Sequence, residues 1–128
     1  MISLENFGDL FARDIGAFTP KPTSIEGDQQ EATLPLWHSP DGKMETGIWE
    51  CTPGRFTADR SEMAEICHIL SGRVTLHNGD GTSREIGGGE MFVLPLGWRG
   101  EWTIHERTRK IYTMVSKGAE DGLAESSL

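Results

Sequence analysis

Positive charge, cysteine and long apolar runs are all scarce in this chain, and each shortage removes a class of function. The 12 Lys and Arg residues stand against 20 Asp and Glu, a net charge of -8. Nucleic acid and anionic membrane surfaces both reward clustered basic side chains, so neither is an expected partner. No segment approaches the roughly 18 apolar residues that a membrane span needs. No basic stretch followed by an apolar core opens the chain, so a cytoplasmic location is expected. Only two cysteines are present, Cys51 and Cys67. A chain in a reducing compartment keeps such a pair as free thiols. Internal repeats, low-complexity tracts and helices long enough for β-α-β crossovers are also missing.

What is present is glycine and short alternating runs. The 16 glycines are dispersed as turn punctuation through 128 residues, a length that buries one full core and leaves little for a second. Near the start, Leu4, Phe7, Leu10 and Phe11 fall at helical spacing behind Ser3 as a cap, which predicts a short helix over 3–13. Residues 18–32 read as an extended arm. The division expected is a helix and arm over 1–32, a β-barrel over 33–118 and a flexible tail over 119–128.

The run MAEICHILSG, residues 63–72, ends in Ser71 and Gly72, and RVTLHN follows over 73–78 before the glycine-rich NGDG. This spacing predicts a hairpin turning at Ser71-Gly72. In that register Glu65, Cys67, Ile69, Val74 and Leu76 share an inner face, and Ile66, His68, Leu70, Arg73, Thr75 and His77 share the outer one. His68 and His77 would then lie diagonally across the hairpin. Farther on, TSREI, MFVLP, EWTIHE and KIYTMVS read as four more strands, the first three separated by glycine-containing turns. The class is all-β, a sandwich or closed barrel.

The segments WECTPGRF, EICHILSG, GGGEMFVLPLGWRGEW and RKIY resemble the cupin superfamily, and within it the small proteins grouped with the ureidoglycine aminohydrolase cupin domain. The resemblance covers about half of the chain. It implies a jelly-roll barrel and, in metal-binding members, two histidines separated by one residue, then a glutamate and a downstream glycine. Glu65 and Gly72 match the glutamate half. The histidine positions fall among Asp59, Arg60, Ser61 and Glu62, and the third histidine position falls on Gly100. All three imidazoles are absent, so neither a metal nor any other cofactor is expected. His38, His68, His77 and His105 offer no substitute on the inner face, although His38 is unplaced. A set made of Glu62, Glu65 and Cys67 would supply only two carboxylates and a thiol.

An inward Glu65 needs a partner, because an isolated buried carboxylate is costly. Lys110, Arg60 and Tyr112 are available. Such pairing serves equally to seal a filled barrel or to line a small-molecule site. Cys67 would act as a nucleophile only beside a cation, and Lys110 is the one in reach. Trp98, Arg99 and Trp102 crowd one turn, where aromatics with an arginine can clamp a planar or anionic ligand or lid the core. The candidate pocket thus comprises Arg60, Glu62, Glu65, Cys67, Trp98, Arg99, Trp102, Lys110 and Tyr112, with no catalytic residue assigned. Three functions remain open: a module binding a small polar or anionic metabolite, an amide or ureide hydrolase on a non-standard metal site, and a structural dimer. Ile66, Leu70 and the N-terminal apolar stripe predict a homodimer.

Overall fold

The computed structural model describes residues 4–118. Among these residues nine strands carry the fold: β1 (Thr19–Pro20), β2 (Ser24–Glu26), β3 (Gln30–His38), β4 (Met44–Cys51), β5 (Gly54–Asp59), β6 (Met63–Asn78), β7 (Ser83–Gly87), β8 (Met91–Leu94) and β9 (Arg99–Ser116). All pairings are antiparallel. The two longest strands, β6 and β9, lie side by side over nearly their whole length. The other edge of β9 is divided between β4 and β5, and that of β6 between β7 and β8. The sheet curls around these two bent strands and encloses one apolar interior, as the all-β reading requires.

The hairpin expected at Ser71-Gly72 is instead a bend inside a continuous strand. The register of β6 against β9 slips between Ile69 and Ser71 and again between Ser71 and Arg73. Gly72 takes a φ of 100° at this point. A Cβ there would strike the side chain of Thr108 and the carbonyl of Arg107, so the bend requires glycine. A bulge interrupts the two-residue period just as a turn does, which is why the pattern misleads. The hairpin proper turns at 78–82, where Asn78 N donates to Thr82 O at 2.8 Å. EWTIHE and KIYTMVS likewise fuse into β9.

The face assignment survives this correction, because a bulge also resets side-chain parity. Glu65, Cys67, Ile69, Val74 and Leu76 are all buried, and Ile66 and His68 are exposed. The diagonal histidine pair does not form, since His68 and His77 lie nine positions apart on one strand and His77 Nε2 shares a 2.8 Å hydrogen bond with Thr103 Oγ1.

Residues 4–13 hold no helix. Asn6 Oδ1 accepts from Gly8 N at 3.0 Å, Asp9 Oδ1 accepts from Phe11 N at 3.0 Å, and Gly8 has φ 76°. These side-chain caps divert the backbone into turns, leaving Leu4 and Phe11 exposed. Ser3 and the tail over 119–128 lie outside the described residues. Leu10 and Phe18 pack on a small cluster of Ile15, Ala32 and Ile48, covering the outer face of β3 and β4. β4 is therefore buried on both faces at Ile48 and Trp49, with Trp49 turned to the main core.

Candidate functional site

The barrel interior is filled at one side and hollow at the other. Trp102, wholly buried, stacks on Phe56 with ring centroids 5.6 Å apart and meets Trp49 edge-on at 5.9 Å. Phe92 closes the cluster at 5.5 Å. Beside it lies a cavity of about 340 Å³, lined by residues that include Trp49, Phe56, Arg60, Glu65, Lys110 and Tyr112.

Strand pairing explains why these groups meet. Trp49 is the direct neighbour of Lys110 across β4 and β9, and Cys67 that of Tyr112 across β6 and β9. Lys110 and Tyr112 share the inner face of β9 with Trp102, and Glu65 shares that of β6 with Cys67 and Ile69. Arg60 follows the end of β5 and is fixed by two backbone bonds to the opposing turn, Arg60 N to Trp98 O and Gly97 N to Arg60 O, both 2.8 Å.

Glu65 is fully buried and held by two cations. Lys110 Nζ donates to Oε2 at 2.6 Å, while Arg60 donates to Oε1 from Nη2 at 2.7 Å and from Nε at 3.0 Å. Burial by itself raises the carboxyl pKa, but the charges and hydrogen bonds of Lys110 and Arg60 outweigh it and hold the group at about 2. Lys110 Nζ also lies 4.4 Å from the ring centroids of both Trp49 and Trp102. Lys21 Nζ reaches the same aromatic wall, 4.2 Å from the Phe56 centroid, and pairs with Glu31 at 2.7 Å. Glu31 Oε1 accepts in addition from Trp49 Nε1 at 2.9 Å.

Tyr112 does not join this cluster, because its hydroxyl donates to Glu45 Oε2 at 2.7 Å. Burial, the hydrogen bond to Glu45 and the neighbouring carboxylates all push the phenol pKa upward, so the hydroxyl keeps its proton. Trp102 backs the cavity and does not line it, and its Nε1 has no hydrogen-bond partner. Cys67 is buried against the same floor. Desolvation, aided by Glu65, drives its thiol pKa well upward despite Lys110, so no nucleophilic thiolate is supplied at neutral pH.

Three residues considered with the pocket point elsewhere. Glu62 is exposed and does not line the cavity. Trp98 Nε1 donates to Asn78 Oδ1 at 2.8 Å, and exposed Arg99 pairs with Asp59 at 3.3 Å beside a separate surface groove. The cavity instead recruits Lys21, Thr33, Glu45, Trp49, Phe56, Met63 and Met114. The parity of β4 could have found Glu45 and Trp49, since both alternate with the buried Cys51. Lys21 has no such signal, as only the folded arm brings it to the barrel.

The donor set does not fit a transition-metal ion. Both oxygens of Glu65 are occupied by cations, and Arg60 stands among the positions where the resemblance places histidine. No histidine lines the cavity. Among the described residues no three His, Cys, Asp or Glu side chains converge on a common point.

The bent antiparallel sheet closing on an inward glutamate and an adjacent cavity defines a cupin. Residues 38–112 match the EutQ-like cupin domain, and the chain belongs to that family. No curated protein sequence matches it. Among solved structures it is similar to the EutQ protein of Clostridium difficile, with a TM-score of 0.60 and 19% identity over 69% of each chain. A putative ethanolamine utilization protein Q from Salmonella typhimurium has a TM-score of 0.63 and 18% identity, over 77% of this chain and 78% of that one. A protein of the DUF861 family from Pseudomonas syringae pv. tomato has a TM-score of 0.68 and 22% identity, over 79% of this chain but 45% of that one. At these identities the likeness is one of fold.

Proposed function

We propose that this cupin domain binds a small anionic metabolite in the cavity beside Glu65, using fixed side-chain cations where metal-bearing cupins use an ion. The observation that carries this reading is the charge count at the cavity floor: Arg60 and Lys110 converge on the single carboxylate of Glu65. Lys21 is neutralised separately by Glu31. One positive charge is thus left over at the cavity floor beside aromatic walls, where an anion gains more than it would in water, while the balancing charge of Glu45 stands at the other end of the cavity. Apolar walls with a few fixed polar groups are what a small-ligand site requires.

A thermal-shift panel of inorganic phosphate, sulfate, malonate and citrate tests this reading. We expect at least one anion to raise the melting temperature by several degrees at millimolar concentration. That shift should vanish in Lys110→Met. No shift with any anion would overturn the proposal.

A hydrolase of the ureidoglycine aminohydrolase type would need a metal at Glu65, and no feature of the geometry favours it. Metal analysis of untagged protein separates the two readings, since stoichiometric metal would revive the hydrolase. We further propose a cytoplasmic homodimer. Supporting it are the exposed Ile66, Met91 and Val93 on the outer face of β6 and β8 and the exposed Leu4 and Phe11 of the arm. Among the described residues no helix is long and apolar enough to cross a membrane. Light scattering that returns a monomer would refute the dimer.

A further inference from the structure

The cavity has a second pole. Glu45, near the start of β4, lines the cavity together with Met63 and Met114, and the same three residues line an outer recess of about 230 Å³ with Lys43 and Ser116. Glu45 therefore stands where the inner cavity and the outer recess meet. Its only side-chain partner among the described residues is the Tyr112 hydroxyl. The other carboxylates near the barrel interior are matched: Glu65 by Arg60 and Lys110, and Glu31 by Lys21. Lys43 borders the same recess and forms no ion pair with Glu45. A half-buried carboxylate facing a cavity with one neutral donor has unused acceptor capacity.

The two poles are apart along the strands. Glu45 lies opposite Met114, and Lys110 lies opposite Trp49. Four residues of β4 separate the two levels, roughly 13 Å between backbone positions, a gap that side chains leaning inward shorten. Between them run the walls of Trp49, Phe56 and the two methionines.

We infer that the ligand is dipolar: an anionic group seated against Arg60 and Lys110, a short apolar spacer along Trp49 and Phe56, and an ammonium or similar cationic donor seated on Glu45. This rests on the anion-binding reading above and goes past it by assigning a charge of opposite sign to the far end of the ligand. The net positive floor and the unmatched carboxylate at the mouth neutralise one zwitterion. A plain carboxylate would leave Glu45 unmatched and would face its repulsion.

Three matched series test the inference by isothermal calorimetry on the full chain. One series is ω-amino acids from glycine through β-alanine, γ-aminobutyrate and δ-aminovalerate to ε-aminocaproate. The others are the carboxylates and the amines of the same lengths. At the best chain length the zwitterion is expected to bind at least tenfold more tightly than either matched partner. Glu45→Gln, whose amide oxygen can still accept from Tyr112, should close the gap between zwitterion and carboxylate. The wild-type ranking stands by itself should that variant fold poorly. Carboxylates binding as tightly as zwitterions would overturn the dipolar ligand and leave the anion site intact. Amines binding most tightly would overturn it too. If no member of any series binds, and the inorganic anions also fail, the anion-binding reading falls together with the inference.

Discussion

Among the described residues two carboxylates are each clasped by two cations, and only one of them faces a cavity. Glu50, on the outer side of β4, accepts from Arg109 Nε at 2.6 Å and also from Arg107 Nε. Arg109 extends the link by donating to Leu10 O at 2.8 Å and Arg13 O at 3.0 Å, which straps the N-terminal arm to the sheet. Arg107 stacks over Phe18, 4.5 Å from the ring centroid, while its side chain stays 56% exposed. Glu65 has the same stoichiometry but no exposure, two tryptophan faces against its lysine and an open volume beside it. Pairing is therefore common to a strap and to a candidate site. What distinguishes the site is desolvation together with space for a further group.

The largest expected effect comes from removing the inner carboxylate. Glu65→Gln leaves Lys110 and Arg60 without a counter-charge at a buried position, and breaking a buried pair in this way costs about 3–5 kcal/mol. Urea unfolding at pH 7 measures it. The comparison breaks if Glu50→Gln costs as much as Glu65→Gln, since burial would then not separate the two clusters.

Acid sharpens the same contrast. The folded Glu65 carboxyl is held at about 2, below its ordinary 4.5. A depressed carboxylate contributes stability above its unfolded value that is lost as pH falls toward the folded one. Between pH 4.5 and pH 2 the protein should therefore lose on the order of a few kcal/mol through this group. Glu50 is lowered as well, its bonds to Arg109 and Arg107 overcoming the opposing effect of burial. Unfolding midpoints at pH 7, 4.5 and 3 should fall less steeply in Glu65→Gln than in the wild type. Equal slopes would show that the acid sensitivity lies elsewhere.

Lys110→Met comes next. The thioether can fill the slot between Trp49 and Trp102, and Arg60 still satisfies Glu65, so a cost of about 1–3 kcal/mol is expected from the lost charge-assisted bond. Its larger consequence is functional, because the anion-dependent melting shift should disappear.

Much of this arrangement is legible in the sequence, and its gaps have definite causes. The inward set of Glu65, Cys67, Ile69, Val74 and Leu76 follows from alternation with one break at Ser71-Gly72, and the partners Arg60 and Lys110 follow from the requirement to satisfy a buried acid. The strand count does not follow, because the bulges at Ile69 to Val74 shift parity as a turn would. The N-terminal stripe of Leu4, Phe7, Leu10 and Phe11 has helical period but no helix, since the local caps from Asn6 and Asp9 win over spacing in a segment too short to nucleate. Lys21, Trp49 and Glu45 reach the cavity through pairings whose partners lie far along the chain. Trp98 and Arg99 share a turn with neighbours of the site, yet their side chains satisfy Asn78 and Asp59 instead.

The smallest effect is expected at the strap. In Glu50→Gln one amide oxygen remains to accept from an arginine, and Arg107 is exposed enough to find water. The global cost should therefore be about 1–2 kcal/mol, somewhat above that of a surface ion pair because the Glu50 and Arg109 side chains are each only 12% exposed. The local cost should be larger in relation to its surroundings. Arg109, losing its charged partner, is left to hold the carbonyls of Leu10 and Arg13 alone, so amide exchange over residues 8–18 should accelerate while that of β6 and β9 stays slow. The anion-dependent melting shift should survive, because none of the strap residues lines the cavity. If Glu50→Gln instead abolishes that shift, the arm and the cavity are coupled through β4, and the two carboxylates belong to one device.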